Sequence, residues 1–262
     1  MLRPRIIPCL LVHKGGLVKT KGFKQPKYVG DPINAVRIFN EKEADELMVL
    51  DMDATRNGVA PDFGLISKLA AECRMPMCYG GGVTTAEQAT RLVDMGVEKV
   101  AVSAAAIRNP GLLRKMAEEV GRQSVVAVLD VRKSSGLFDR GFEVCTHNAT
   151  VTHKLDPFAL AKQLQDAGAG EVVINSVDRD GTMEGYDLEL AERFKQVLSV
   201  PTTFLGGAGT LDHLGALVSR LGVVGAAAGS LFVFKGKFRA VLINYPTQRQ
   251  KVQLCRAALA KD

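Results

Sequence analysis

The sequence predicts an α/β fold, a (β/α)8 TIM barrel with internal half-barrel duplication, on three observations. Short runs that are apolar throughout are each followed by an amphipathic stretch, eight times in succession, as parallel strands covered by helices require. Features recur half a chain apart: Gly80 with Gly206, Gly96 with Gly222, Glu46 with Glu171 and Asp53 with Asp178, at spacings of 125 or 126 residues. Glycine clusters, Tyr79-Gly-Gly-Gly-Val83 and Leu205-Gly-Gly-Ala-Gly209, close apolar runs and open helix-like ones. An open doubly wound sheet is the main competitor. It would carry a GxGxxG turn after the first strand and an acidic residue about 20 positions further on, and Gly15-Gly16 does not fit that pattern.

In chain order, Ile6 to Val12 reads as a buried strand, and His13 to Pro26 as a long polar loop with four lysines, Lys19 among them. Asp31 caps a helix reaching Glu43, with Pro32 at its first position. Glu46 to Asp51 is a strand with Asp51 and Asp53 at its end, and Asp62 to Cys73 is a helix. Met75 to Tyr79 is a strand, then Thr84 to Met95 a helix with Thr84 and Glu87 at capping-box spacing. Lys99 to Ser103, Val125 to Asp130, Val172 to Val177, Thr202 to Leu205 and Val223 to Ala228 are the remaining strands. Pro110 to Val120, Asp156 to Ala167, Leu188 to Leu198, Leu211 to Leu221 and Lys235 to Ile243 are the remaining helices. Arg132 to Val151 is an excursion with room for a hairpin. The barrel takes residues 1–246, and the polar tail at 247–262 is an added helix or a frayed end.

Composition excludes several classes. With 262 residues and 47% hydrophobic content, the chain suits a soluble globule with a large core. No apolar run approaches a membrane span, and the opening Met1-Leu-Arg-Pro-Arg5 is no signal peptide, so a cytoplasmic location is expected. The five cysteines include no CxxC pair and the four histidines show no ligand spacing, so no metal and no cofactor are expected. A net charge of +6 spread along the chain, without tryptophan, does not point to nucleic acid.

In a barrel, chemistry gathers just beyond the C-terminal ends of the strands. Those positions hold Asp51 and Asp53, Gly80 to Gly82, Ser103, Asp130, Asp178, Asp180-Gly181, Gly206-Gly207 and Gly229-Ser230. Carboxylates for acid–base work and two glycine cradles for anions thus share one face. Tight turns and helix caps explain any one of these residues, but explain the two-fold recurrence less well. At the opposite face Arg5, Glu46, Lys99 and Glu171 open strands one, two, four and six. They are polar rim residues, or, if they point inward, a ring of alternating charge over the barrel axis.

Arg5-Ile-Ile-Pro-Cys-Leu10, Gly30-Asp-Pro32, Asn175-Ser-Val-Asp-Arg-Asp-Gly181 and both glycine clusters resemble the cyclase subunit of imidazole glycerol phosphate synthase, over roughly residues 3 to 245. That resemblance implies a barrel paired with a glutaminase subunit as a heterodimer. Ammonia would enter at the barrel base and meet a substrate with two phosphates at the top, giving imidazole glycerol phosphate for histidine biosynthesis. It further implies an ammonia gate of Arg5, Glu46, Lys99 and Glu171. Phosphate contacts would come from Lys19, Gly82, Ser103, Asp180, Gly181, Gly207, Gly229 and Ser230, and Asp130 would be a catalytic acid–base group.

The chain departs from the family at the strand-one aspartate, where it has Leu11, and at an Asn-Thr pair, where it has Ser103-Ala104. Asp53 stands where the family has threonine and is the candidate replacement base. With Ile7-Pro-Cys-Leu-Leu11 and Gly229-Ser-Leu-Phe-Val-Phe234, these departures resemble a divergent branch associated with surface-polysaccharide clusters. The resemblance then implies ammonia supplied for amidating a sugar, with a third protein, a sugar amidotransferase, making the transfer. The alternatives are a histidine-pathway cyclase and a non-catalytic activator of a glutaminase.

Overall fold

The computed structural model describes residues 3–134, 141–236 and 238–259. Arg5–His13 (β1) leads into a hairpin of Gly16–Lys21 (β2) and Lys24–Gly30 (β3). Pro32–Glu41 (α1) starts at Asp31, whose carboxylate accepts the Asn34 amide at 2.8 Å. Leu47–Asp51 (β4), Ala54–Asn57 (α2), Phe63–Glu72 (α3) and Met77–Gly80 (β5) follow, then Ala86–Asp94 (α4) and Lys99–Val102 (β6). Ala104–Arg108 (α5), Gly111–Val120 (α6) and Val125–Lys133 (β7) complete the first half. Phe142–Thr146 (β8) and Val151–His153 (β9) form a second excursion, followed by Pro157–Asp166 (α7), Glu171–Ser176 (β10) and Leu188–Val197 (α8). The chain continues through Thr202–Leu205 (β11), Leu211–Leu221 (α9), Gly225–Ala228 (β12) and Ser230–Val233 (α10). Phe234–Lys235 (β13), Ala240–Val241 (β14) and Gln248–Leu259 (α11) complete it.

Eight strands close a parallel barrel in the order β1-β4-β5-β6-β7-β10-β11-β12, with β12 returning to β1. The pairing of β7 with β10 joins the halves through six residues of register, from Glu171↔Val126 to Ser176↔Val131. Alternate residues of each strand turn inward. Ile7, Cys9 and Leu11 of β1 meet Met48, Cys78 and Val173 in an apolar cluster inside the barrel. A larger cluster fills the shell between strands and helices. The barrel is therefore a packed core, with chemistry confined to its two ends.

The structure corrects three local readings. The long loop expected at 13–26 is largely the β2–β3 hairpin, because Val18 and Thr20 are buried against the barrel mouth and their neighbours can pair. The helix N-cap is Thr85, not Thr84: the Thr85 hydroxyl accepts from Gln88 N, and the Gln88 side chain accepts from Thr84 N and Thr85 N. The helix expected at 235–243 is the β13–β14 hairpin, turned by Gly236 and Arg239 at positive φ, which a helix does not tolerate. The eighth helix is instead α11, in the stretch expected to be an added helix or a frayed end. Thr247 and Gln250 form its capping box, Gln250 N to the Thr247 hydroxyl at 3.4 Å and Thr247 N to Gln250 Oε1 at 2.8 Å. Residues 135–140 of the 132–151 excursion lie outside the described residues; β8 and β9 supply the hairpin for which it had room. Among the described residues no helix is long and apolar enough to cross a membrane.

Candidate functional site

A cavity of about 990 Å³ opens at the C-terminal ends of the barrel strands. Its apolar floor includes Leu11, Leu50, Val128 and Leu205, and Asp130 stands among them within β7. Burial pushes the Asp130 carboxyl up to about 6, against an Asn175 amide that donates to Oδ1 at 2.8 Å, while Asp180 adds a small upward push. A carboxylate in this range exchanges protons near neutral pH, as a general acid or base must. Leu11 is 7% exposed and offers no proton-carrying atom.

The glycine cradles lie at the two ends of the cavity. Gly82 holds φ +74°, with Val59 O only 2.6 Å from where a Cβ would stand, and its amide donates to the Thr55 hydroxyl at 3.1 Å. Ser103 lines the same end, and its buried hydroxyl has no hydrogen-bond partner in the structure. Gly207, Gly229 and Ser230 follow β11 and β12, which lie across the barrel from β5 and β6 in the strand order, and with Gly181 they also line the cavity. A buried hydroxyl without a partner is uncommon, and one lining the cavity fits an oxyanion-bearing ligand. No metal-binding cluster occurs among the described residues.

The β2–β3 hairpin closes over one side. Thr20 Oγ1 donates to Asp180 Oδ2 at 3.1 Å and Phe23 N donates to the same oxygen at 3.2 Å. Lys19 points into the mouth, where its ammonium donates to the Cys9 carbonyl. Burial lowers the Lys19 pKa, and Asp180 works in the other direction. A Cβ on Gly229 would stand 2.3 Å from Lys19 Nζ, so glycine makes room for the ammonium. Burial also raises the Asp180 carboxyl, against the bonds from Phe23 and Thr20 and the charge of Lys19.

Asp53 is not brought to this cluster. Its carboxylate turns to the β1–β2 corner, with Oδ1 on His13 Nδ1 and Oδ2 on Lys14 N, each at 2.8 Å. Burial pulls its pKa up, but the Lys14 amide and His13 together outweigh that and leave it low. Asp178 likewise faces away and accepts Lys133 N at 2.7 Å. Asp51 lines the cavity while its Oδ1 accepts from Asp53 N and Ala54 N.

At the barrel base the four predicted charges do meet. Arg5 bridges Glu46 and Glu171, at 2.7 Å to the latter's Oε1. Lys99 Nζ bridges the same two carboxylates, at 3.0 Å to Glu46 and 2.9 Å to Glu171. The Thr203 hydroxyl donates to Glu171 Oε1 at 2.5 Å. Burial alone would raise Glu171, yet Arg5 and Lys99 hold it below the usual carboxylate range. The ring is closed, with each acid held by both bases.

Sequence reasoning missed Asn175 as a partner of Asp130, Thr203 as a member of the ring, and the β8–β9 hairpin as a cavity wall. Thr146, His147, Asn148 and His153 all line the cavity. The available signal was His147 within the 132–151 excursion and His153 just beyond it, in a stretch read only as having room for a hairpin.

Comparison with known proteins agrees with this architecture. The family model described as histidine biosynthesis protein matches residues 5–239. The putative imidazole glycerol phosphate synthase subunit hisF3 of Vibrio vulnificus is 55% identical over 251 residues, covering 96% of each chain. The putative imidazole glycerol phosphate synthase subunit hisF2 of Pseudomonas aeruginosa is 50% identical over 246 residues, covering 94% of this chain and 97% of the relative. Imidazole glycerol phosphate synthase subunit HisF of Clostridium botulinum is 37% identical over 235 residues, covering 90% of this chain and 92% of the relative.

Proposed function

Because the chain belongs to the histidine biosynthesis protein family, alongside the imidazole glycerol phosphate synthase HisF subunits, we propose that it is a cyclase-type barrel subunit. It holds a ligand with two phosphates across the top cavity and joins it to ammonia supplied by a glutaminase subunit docked at the base. The observation that carries this reading is Asp130, a carboxyl poised at about 6 on the floor of a cavity with a glycine cradle at either end. Lys19, Gly82 and Ser103, with Asp180, Gly181, Gly207, Gly229 and Ser230, hold the ligand's phosphates and close the hairpin over it. Asp130 moves protons as the new ring forms. At the base, Arg5, Glu46, Lys99 and Glu171 form the gate through which ammonia passes.

Leu11 favours a second reading. An isobutyl group at the floor leaves Asp130 without a strand-one partner, and Asp53 is held away at the β1–β2 corner. In this reading the barrel docks the glutaminase and conducts ammonia, while a separate sugar amidotransferase of surface-polysaccharide synthesis consumes it. The relatives' names favour the first reading, since each is called an imidazole glycerol phosphate synthase subunit. Turnover of the family's bis-phosphate substrate with ammonium separates the two. Turnover supports the cyclase; binding without turnover, together with stimulation of a co-expressed glutaminase, supports ammonia delivery. Failure to bind the bis-phosphate would overturn the two-cradle reading, and failure to stimulate any glutaminase would overturn the gate.

A further inference from the structure

Three carboxylates line the cavity, and each accepts hydrogen bonds from the protein. Asp51 holds the Asp53 and Ala54 amides, and Asp180 holds the hairpin through Thr20 and Phe23. Asp130, which accepts the Asn175 amide at Oδ1, has its carboxyl raised to about 6, and acid–base chemistry on one ligand commonly needs a second group. The β8–β9 hairpin supplies candidates. Thr146 is 2% exposed, and its hydroxyl lies 2.9 Å from His153 Nε2 and 2.9 Å from His147 Nδ1. Both rings line the cavity. The preceding residue, Cys145, is the cross-strand partner of Asp130 in the β7–β8 ladder, so the group follows directly on the strand that pairs with the Asp130 strand, and both line the same cavity.

The backbone is held unusually to make this arrangement. His147, Asn148 and Ala149 are three consecutive non-glycine residues with φ of 54°, 57° and 58°, a conformation such residues adopt at a cost. The Asn148 amide reaches across to donate to Met52 O at 3.1 Å and fixes the hairpin tip over the cavity.

Resting on the reading of the cavity as the site of a ligand with two phosphates, we propose that His147, Thr146 and His153 form a hydroxyl-bridged proton relay. It acts on the bound ligand together with Asp130. In this relay the Thr146 hydroxyl donates its one proton to one ring nitrogen and accepts from the other, a use open to a group with one donor and two acceptor sites. The two rings are therefore in complementary states. In the transfer, the ligand gives a proton to His147 Nε2, and His147 Nδ1 passes its own proton to the Thr146 oxygen. The Thr146 proton moves to His153 Nε2 as the O–H bond breaks. One proton has left the ligand, His153 carries the added charge, His147 is neutral again and Thr146 is unchanged. The reverse sequence returns the proton to the ligand.

Nitrogen-15 spectra of the histidine rings in the full chain test the relay without any substrate. One of His147 Nδ1 and His153 Nε2 should carry hydrogen and the other should be bare. The difference should persist in Thr146→Ser and vanish in Thr146→Val. Both nitrogens protonated, or both bare, overturns the relay. Turnover of the bis-phosphate with ammonium is the second arm. His147→Gln and His153→Gln keep a side-chain hydrogen bond to Thr146 but carry no proton, so each should lower turnover by about 10²-fold or more, with added imidazole restoring part of it. Unchanged turnover in both variants overturns the relay, because a merely structural hairpin predicts that result. A wild-type chain that never turns over the bis-phosphate counts against the cyclase reading, and the ring spectra still decide the relay.

Discussion

Asp130 is where a single side chain connects function to stability. Its ordinary pKa is near 4 in the unfolded chain and about 6 in the fold, because burial disfavours the charged form. Folding therefore favours the neutral acid. The associated stability is fully present below about pH 4 and is lost as pH rises through 6. Asp130→Asn should raise stability at pH 7 by about 1–3 kcal/mol and flatten its pH dependence between 4 and 6, as thermal unfolding across pH would show. The same substitution should cost about 10²–10⁴-fold in turnover, and the acid limb of the wild-type rate profile should fall near pH 6. At this scale the sequence was informative about Asp130 and the glycines, because strand-end position and spacing are local properties. Asp53 was misleading for a reason no spacing reveals: its partners His13 and Lys14 come from the β1–β2 corner, and they turn the carboxylate away from the cavity.

The β2–β3 hairpin and α11 show what was and was not legible at the scale of elements. Lysine and glycine content made 13–26 read as a loop, while the pairing that makes it a hairpin comes from burial of Leu17 and Val18 against the barrel mouth. Gly229→Ala would place a methyl against the Lys19 ammonium and expel it from the Cys9 carbonyl. We expect faster tryptic cleavage in the hairpin of that variant, with the barrel otherwise intact; an unchanged rate would show that Lys19 does not latch it. For α11 the start signal was present as Thr247-Gln-Arg-Gln250, but the apolar residues at 238–243 drew the helix upstream. Thr247→Ala removes the cap and should cost about 0.5–2 kcal/mol in denaturant unfolding. Lys251 fixes the helix to the barrel base through Asp45 Oδ1 at 3.0 Å and Glu43 O at 2.9 Å, a contact across some 200 residues that no local pattern announces.

The whole molecule is a packed barrel with polar devices at its two ends. Architecture was legible from the eight-fold alternation and the half-chain recurrence, since both are properties of the entire sequence. The charge ring was legible as four strand-start positions, but its closure, and the help of Thr203, depends on how the strands stagger around the barrel. Lys99→Met would leave Arg5 alone between two buried acids and should cost about 3–5 kcal/mol. If the ring is the gate, that variant should also uncouple glutamine hydrolysis from ammonia use while turnover with free ammonium persists. Because Glu171 is held below its ordinary pKa in the fold, the ring's contribution is present above that ordinary value and is lost as pH falls through the lowered one.

Ammonium-dependent turnover of the family's bis-phosphate substrate, compared between the wild-type chain and Asp130→Asn, tests the cyclase assignment most directly. We expect measurable turnover in the wild type and a loss of about 10²-fold or more in the variant. A wild type that binds the bis-phosphate without converting it, or a variant that converts it equally well, would contradict the assignment.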